Sequence, residues 1–335
     1  MVFRVGVIGT GNIGTDHANR IASQVSGADV VAVFDVATER AKEVASGVGA
    51  VAHATDGDVI NDPEVDAVLI ASPGELHAEQ VLACIDAGKP VLCEKPLAPT
   101  TAECLKVIEA EVAAGRQLVQ LGFMRRYDAA YVEVKAALDS GDIGEALMLH
   151  CLHRNPTAPD WFTSDLALTD SVVHEVDTSR WLLGDEIATV TVLAGKPSPK
   201  AGSAQDPQLV VFEMASGVLV TVESFIHAQY GYDVRCELVG SEGVASMDTP
   251  TLGAVTRRGG RTTVVPPDWR VRFGSAYQAE LQAWVDSLAS GEFHGASAWD
   301  GYAATAVAEA GLRARAEGAR VAVELVDRPS FYAGK

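Results

Sequence analysis

Phe3-Arg4-Val5-Gly6-Val7-Ile8-Gly9-Thr10-Gly11-Asn12-Ile13-Gly14 is the stretch on which the reading of this chain turns. It begins as a short apolar run rich in Val and Ile, the pattern of a buried strand. The run ends in Gly9-x-Gly11-x-x-Gly14, and a helical pattern follows from about Asn12 to Gln24. A strand that turns through glycines into a helix aims backbone N–H groups and the positive end of a dipole at one point. A pyrophosphate fits there. Gly9 allows the tight turn, Gly11 the close approach of the phosphates, and Gly14 close helix–strand packing. Thr10, Asn12 and Ile13 fill the same loop and join the glycines as cofactor-contact candidates.

A second apolar run, Val30-Val31-Ala32-Val33-Phe34, ends in Asp35, which follows Gly14 by 21 positions. An acidic residue ~20 positions on is the one expected to bind the ribose hydroxyls. The plain alternative is a glycine-rich structural turn with an ordinary strand-end aspartate. The ordered succession of strand, glycines, helix, strand and aspartate favours the nucleotide site. A carboxylate at Asp35 repels a 2′-phosphate, so the expected cofactor is NAD rather than NADP.

With 335 residues the chain has room for two domains, and 48% hydrophobic residues mark an ordinary globular composition. A net charge of −19 argues against nucleic acid or an anionic membrane surface as partner. Cys84, Cys93, Cys104, Cys151 and Cys236 are scattered, odd in number and without a CxxC, as expected of buried thiols in a reducing compartment. No signal-like segment precedes the first strand, and no apolar stretch approaches the ~18 residues of a membrane span. The expected location is the cytoplasm. No HxxxH or clustered cysteine set suggests a metal.

Apolar strands and helical patterns alternate as far as Gly122. Strand ends carry Ser72-Pro73 and Glu94-Lys95-Pro96 beside Gly9 and Asp35, which gives a doubly wound parallel sheet with ligands beyond its carboxyl ends. His77 either lines the cofactor crevice or is a solvated histidine at a helix start. Lys95 either handles a substrate proton or is a loop lysine. We expect a nucleotide domain over 1–122 and a substrate and assembly domain over 123–335.

In the second half, Leu147 to His153 alternates as a strand that puts Leu149, Cys151 and His153 on one face, with Asn155 continuing it. Asp170 to Leu183 reads as a helix. Asp170, His174, Asp177 and Trp181 then share a face, either a polyol pocket with a proton-moving imidazole or an exposed stripe capped by Asp170. Strands follow at about Ile187–Ala194, Gln208–Met214, Val218–His227, Asp233–Val239, Val244–Met247 and Thr262–Val265, a mostly antiparallel sheet. Val210, Phe212, Val218, Val220 and Val222 are expected to supply apolar surface for a subunit interface.

Taken together these residues resemble the glucose–fructose oxidoreductase/inositol dehydrogenase (Gfo/Idh/MocA) family over essentially the whole chain. Gly9–Gly14, Asp35, Ser72-Pro73 and Glu94-Lys95-Pro96 are general to it. Gly122–Asp128, His150–Asn155, Thr169–Asp177 and Gln229–Asp233 resemble its inositol-oxidising members. The resemblance implies NAD-dependent oxidation of myo-inositol at C2 to the ketone, with a polyol as substrate. It implies catalytic roles for Lys95, Asp170 and His174, with His174 or Lys95 as the immediate base, and nucleotide contacts that take in Ser72, Pro73, His77, Glu94 and Lys95. It further implies inositol contacts from Arg125, His153, Asn155 and Tyr232, and also from Asp177 and Tyr230, a cis Lys95–Pro96 bond, and a homotetramer. Rival readings are a dehydrogenase for scyllo-inositol, another inositol or an aldose, and a dinucleotide-binding regulator without catalysis.

Overall fold

The computed structural model describes residues 2–333. The chain forms two compact units: one holds the chain up to Met124, Tyr277–Thr305 and the segment from Leu325, and the other holds Arg125–Ala276 and Ala306–Glu324.

In the first unit the chain runs β1 (Phe3–Ile8), α1 (Asn12–Gln24), β2 (Ala28–Phe34), α2 (Thr38–Val48), β3 (Val51–Ala52), α3 (Asp56–Asn61), β4 (Ala67–Ile70), α4 (His77–Asp86), β5 (Val91–Glu94), α5 (Thr101–Ala114) and β6 (Val119–Gly122). These strands pair in parallel in the order β3-β2-β1-β4-β5-β6. Every residue of β4, β5 and β6 is buried, which is why β4 reads as an unbroken apolar run and β5 as one up to Glu94, while β6 buries the polar Gln120. One helix, α3, is too short to show in the sequence pattern. A capping box starts it: Thr55 Oγ1 accepts from the Asp58 N–H, and the Asp58 carboxylate accepts from the Thr55 N–H, both at 3.0 Å.

The second unit takes in α6 (Ala129–Asp139), β7 (Ala146–Arg154), the single turn α7 (Ser164–Leu166), α8 (Val173–Leu183), β8 (Ile187–Ala194), β9 (Gln208–Met214), β10 (Leu219–Phe225), β11 (Asp233–Gly240), β12 (Val244–Ser246), β13 (Ala254–Arg257) and β14 (Gly260–Thr263). The chain closes with α9 (Trp269–Ser290), β15 (Ala296–Ser297), α10 (Ala298–Glu317) and β16 (Val321–Ala322). The large sheet has the order β12-β11-β7-β10-β9-β8-β16. Only the β7–β10 pair is parallel; the other pairs are antiparallel. Where the sequence suggests one strand at Thr262–Val265, the chain makes the separate β13–β14 hairpin.

The division at 122/123 needs correction, because late segments return to the nucleotide unit. Leu281, Trp284 and Val285 of α9 are buried in the same core as Val5, Val7, Ile21, Val33 and Leu69, β15 pairs antiparallel with β6, and the Tyr332 hydroxyl donates to Glu111 at 2.5 Å. Burying an apolar side chain is worth ~1.5–3 kcal/mol, so three residues of α9 bind that segment to the nucleotide core.

The expected interface residues also need correction. Val210, Phe212, Val220 and Val222 are buried on the sheet face that β7 shares through Leu149, Cys151 and His153, and Val218 lies in the turn before β10. With a side-chain period of two, their neighbours point the other way. Leu193, Leu209 and Leu219, exposed by 52%, 38% and 41%, lie on that outward face.

Candidate active site

At the mouth of the first sheet the three glycines stand in different surroundings. Gly9 has φ +88°, and a β-carbon there would lie 2.5 Å from the Ala71 carbonyl and the Ser72 nitrogen. A β-carbon on Gly14 would lie 1.9 Å from the Gly9 carbonyl oxygen. Gly11 differs: a β-carbon there meets nothing within 4 Å, so the space is open. Gly11 is also the N-cap of α1 and gives it no side-chain bond, so the first-turn N–H groups keep their donors for a ligand. This cradle fits a pyrophosphate. Asn12 is exposed and Ile13 half-buried at its edge.

Asp35 closes the other side of the cradle. Its carboxylate accepts from the Thr10 N–H at 2.7 Å, the Thr10 hydroxyl at 2.9 Å and the Ala37 N–H at 2.7 Å. Burial pushes its pKa up, but Arg40 and these backbone donors outweigh that and hold it at about 2. One Arg40 guanidinium nitrogen donates to both carboxylate oxygens, at 2.7 and 2.8 Å. Val36, beside it, is 82% exposed, an apolar surface suited to an adenine ring.

His77 is not the solvated histidine of the second expectation. It is buried, and its ring bridges two loops: Nδ1 lies 2.7 Å from the Pro96 carbonyl and Nε2 2.8 Å from the Ser72 carbonyl. The Ser72 hydroxyl donates to Gln80 at 2.6 Å, while Pro73 is exposed. Glu94 packs over Gly122 and meets His17 of α1 at 2.7 Å. Lys95 follows, half-buried, and its peptide to Pro96 is cis.

In the second unit, Arg125, His153, His174 and Tyr232 come together. The His153 ring centroid is 6.5 Å from that of His174 and 6.3 Å from that of Tyr232. Behind them stands Glu175, fully buried, which accepts from Arg125 and lies 3.0 Å from His153 Nδ1. Burial pushes Glu175 up, but Arg125 and then His153 hold it below the usual carboxylate range. Burial pushes the Tyr232 hydroxyl up to about 12, so it keeps its proton near neutrality and can donate. Asn155 Oδ1 and Arg125 Nε are buried with no hydrogen-bond partner among the described residues. Donors and acceptors left over in a buried polar cluster suit a ligand made of hydroxyls.

The shared face expected for Asp170, His174, Asp177 and Trp181 is not a regular helix face. Ala167–Ser171 is a π-helical turn carrying the exposed Asp170, and α8 starts only at Val173. Such turns are frequent at functional sites. Asp177 is buried and accepts from Arg126 Nε at 3.0 Å. Trp181 stacks with Lys135, 5.7 Å from ring centroid to ammonium. Tyr230, half exposed, donates to Asp233 at 2.6 Å and accepts from Arg154 at 3.0 Å. Sequence reasoning missed Glu175, Arg40 and His17. The available signal for Glu175 was a charged residue among Val172, Val173 and Val176 on a helix otherwise read as half-buried.

The first unit thus has the makeup of an NAD-binding dehydrogenase domain. Residues 3–123 match the model of an oxidoreductase family with an NAD-binding Rossmann fold, and residues 131–246 match the Gfo/Idh/MocA C-terminal domain. Inositol 2-dehydrogenase 3 of Saccharopolyspora erythraea is 50% identical over 100% of this chain and 99% of its own. The crystal structure of myo-inositol dehydrogenase from Lactobacillus casei in complex with NAD(H) and myo-inositol is 34% identical, with a TM-score of 0.96 over 99% of this chain and 100% of that one. Scyllo-inositol dehydrogenase from the same organism, with NAD(H) and scyllo-inositol, is 25% identical, with a TM-score of 0.88 over 96% and 99%. The chain belongs to the Gfo/Idh/MocA oxidoreductase family.

Proposed function

We propose that the chain oxidises myo-inositol at C2 to the 2-keto-inositol with NAD, as a step of inositol catabolism. The observation that carries this reading is full-length likeness at 50% identity to an inositol 2-dehydrogenase. The leftover polar atoms of the second unit support a polyol substrate over an apolar one.

When bound, NAD supplies the acceptor for the hydride that leaves the carbinol carbon. Gly9, Gly11 and the first turn of α1 hold the pyrophosphate, and Asp35 holds the ribose hydroxyls. His174 takes the proton of the reacting hydroxyl, and Lys95 donates to the developing alkoxide. Asp170 orients and charge-tunes this pair. Asn155, His153 and Tyr232 bind the remaining hydroxyls, backed by Arg125 and Asp177.

The assembly we propose is a homotetramer built on the outward face of the large sheet, where Leu193 and Leu209 are register partners and Leu219 pairs with Met148. The proposed location is the cytoplasm, in keeping with five buried cysteines and with no helix of the described residues long and apolar enough to cross a membrane.

The test follows NADH absorbance with myo-inositol, scyllo-inositol, other inositols and glucose, each offered NAD or NADP. Myo-inositol with NAD should give the highest kcat/KM. A higher value with scyllo-inositol or glucose would move the substrate, and NADH binding without turnover of any polyol would favour a regulator.

A further inference from the structure

Glu175 has no part in the chemistry above, yet it is the most enclosed charge of the second unit's polar cluster. Its side chain is fully buried, Arg125 Nη1 donates to one of its oxygens, and His153 Nδ1 lies 3.1 and 3.0 Å from its two oxygens. Arg125 is pinned in turn over the Tyr131 and Phe273 rings, at 5.9 and 5.8 Å.

The geometry decides where the imidazole carries its proton. A carboxylate can only accept, so at 3.0 Å Nδ1 must be the donor; the other tautomer would set two lone pairs face to face. Arg125 Nη2 also lies 3.2 Å from Nδ1, but with Nδ1 protonated that contact joins two donors, and Arg125 spends its hydrogen bond on Glu175 instead. In the singly protonated ring Nε2 is left with a lone pair. Every polar contact of this ring among the described residues is made at Nδ1, none at Nε2.

We propose that Glu175 is a positioning residue that fixes His153 as a hydrogen-bond acceptor, so that the site demands an O–H donor from the substrate at that place. This rests on the polyol reading of the site and deepens it: a substrate carrying a ketone, a methyl ether or no oxygen there is refused. Glu175→Gln keeps the shape and reverses the reading. Its amide can accept from Arg125 through oxygen and donate to Nδ1 through nitrogen, which sends the ring proton to Nε2 and turns the acceptor into a donor. Glu175→Asp keeps the charge on a shorter arm.

Two measurements test this. Long-range ¹H–¹⁵N spectra of histidine-labelled protein, with His153 assigned by its loss in His153→Ala, read the tautomer without any substrate. Wild type should show a protonated Nδ1 and a bare Nε2, exchanged in Glu175→Gln. Kinetics should show KM for myo-inositol raised about tenfold in Glu175→Gln, the cost of one hydrogen bond turned into a repulsive contact, with KM for NAD unchanged and partial recovery in Glu175→Asp. A wild-type His153 protonated on Nε2 overturns the proposal, as does an unchanged KM for myo-inositol in both variants. If Glu175→Gln does not fold, the wild-type spectrum and Glu175→Asp still decide. If the wild type oxidises no polyol, the function falls while the spectrum still judges the tautomer.

Discussion

Asp35 has two duties that a single substitution exposes. As the proposed ribose ligand it offers charged acceptors, each hydrogen bond worth ~1.5–3 kcal/mol, so Asp35→Ser should weaken NAD binding and relax the rejection of NADP in fluorescence titrations. Wild-type enzyme that used both cofactors equally would sink this assignment. As a buried carboxylate held at about 2 against an ordinary 3.8, Asp35 also stabilises the fold. A folded-state value below the unfolded one gives stability that is present above pH 3.8 and lost as the pH falls toward 2. The shift is worth roughly 2 kcal/mol, so Asp35→Asn should unfold at lower urea at pH 7 than wild type, and the gap should close in acid. Proton transfer is the second test at this scale. Lys95→Ala and His174→Ala should each lose kcat about a hundredfold or more while still binding NADH, and wild-type oxidation should speed up with rising pH as the base loses its proton. Near-normal turnover in His174→Ala would remove it from the reaction. Asp35 was legible as a candidate because the role proposed for it depends on spacing along the chain. The bonds of His77 and Glu175 were not, because a buried polar group's partner is chosen by tertiary packing that no local spacing encodes.

The loop between β1 and α1 turns one rule into opposite outcomes at two glycines. Gly14→Ala drives a β-carbon against the Gly9 carbonyl oxygen at 1.9 Å and should cost roughly 1–3 kcal/mol of stability, read as a lower melting temperature. Gly11→Ala meets nothing within 4 Å of protein, so it should melt like wild type yet bind NAD more weakly. Equal NAD affinity in Gly11→Ala would mean that no phosphate lies against that position. Regular elements were largely legible: α1, β8 and β9 have the bounds read from the pattern. The π turn ahead of α8 was not, because a spacing of four between Asp170 and His174 looks the same whether the turn between them is wide or regular. The capping box of α3 was present in Thr55 and Asp58, but six residues make too short a helix for periodicity to reveal.

At the scale of the whole molecule, a sheet with one covered face leaves its other face in need of a neighbour. Light scattering at micromolar concentration should give a tetramer, and Leu209→Glu with Leu219→Glu should break it up by placing charge on the outward face. A wild-type monomer would refute the assembly. Two domains were visible because strand–helix alternation stops after Gly122. The error of parity over Val210 and Val220 came from apolarity alone: both faces of β9 and β10 carry apolar residues, and only the packing tells which face the helices took.

The chain's return to its first unit has a consequence for how the protein is made. Synthesis delivers β1 to β6 early, but Leu281, Trp284 and Val285 fill their core and β15 completes their sheet only near the end. The nascent nucleotide half therefore waits, with a patch meant for Trp284 uncovered, while the whole Arg125–Ala276 segment emerges. Vectorial synthesis cannot finish the two halves one after the other. The half begun first is sealed by residues translated after the body of the second, and until then the ribosome-bound chain carries apolar surface of the kind that chaperones hold.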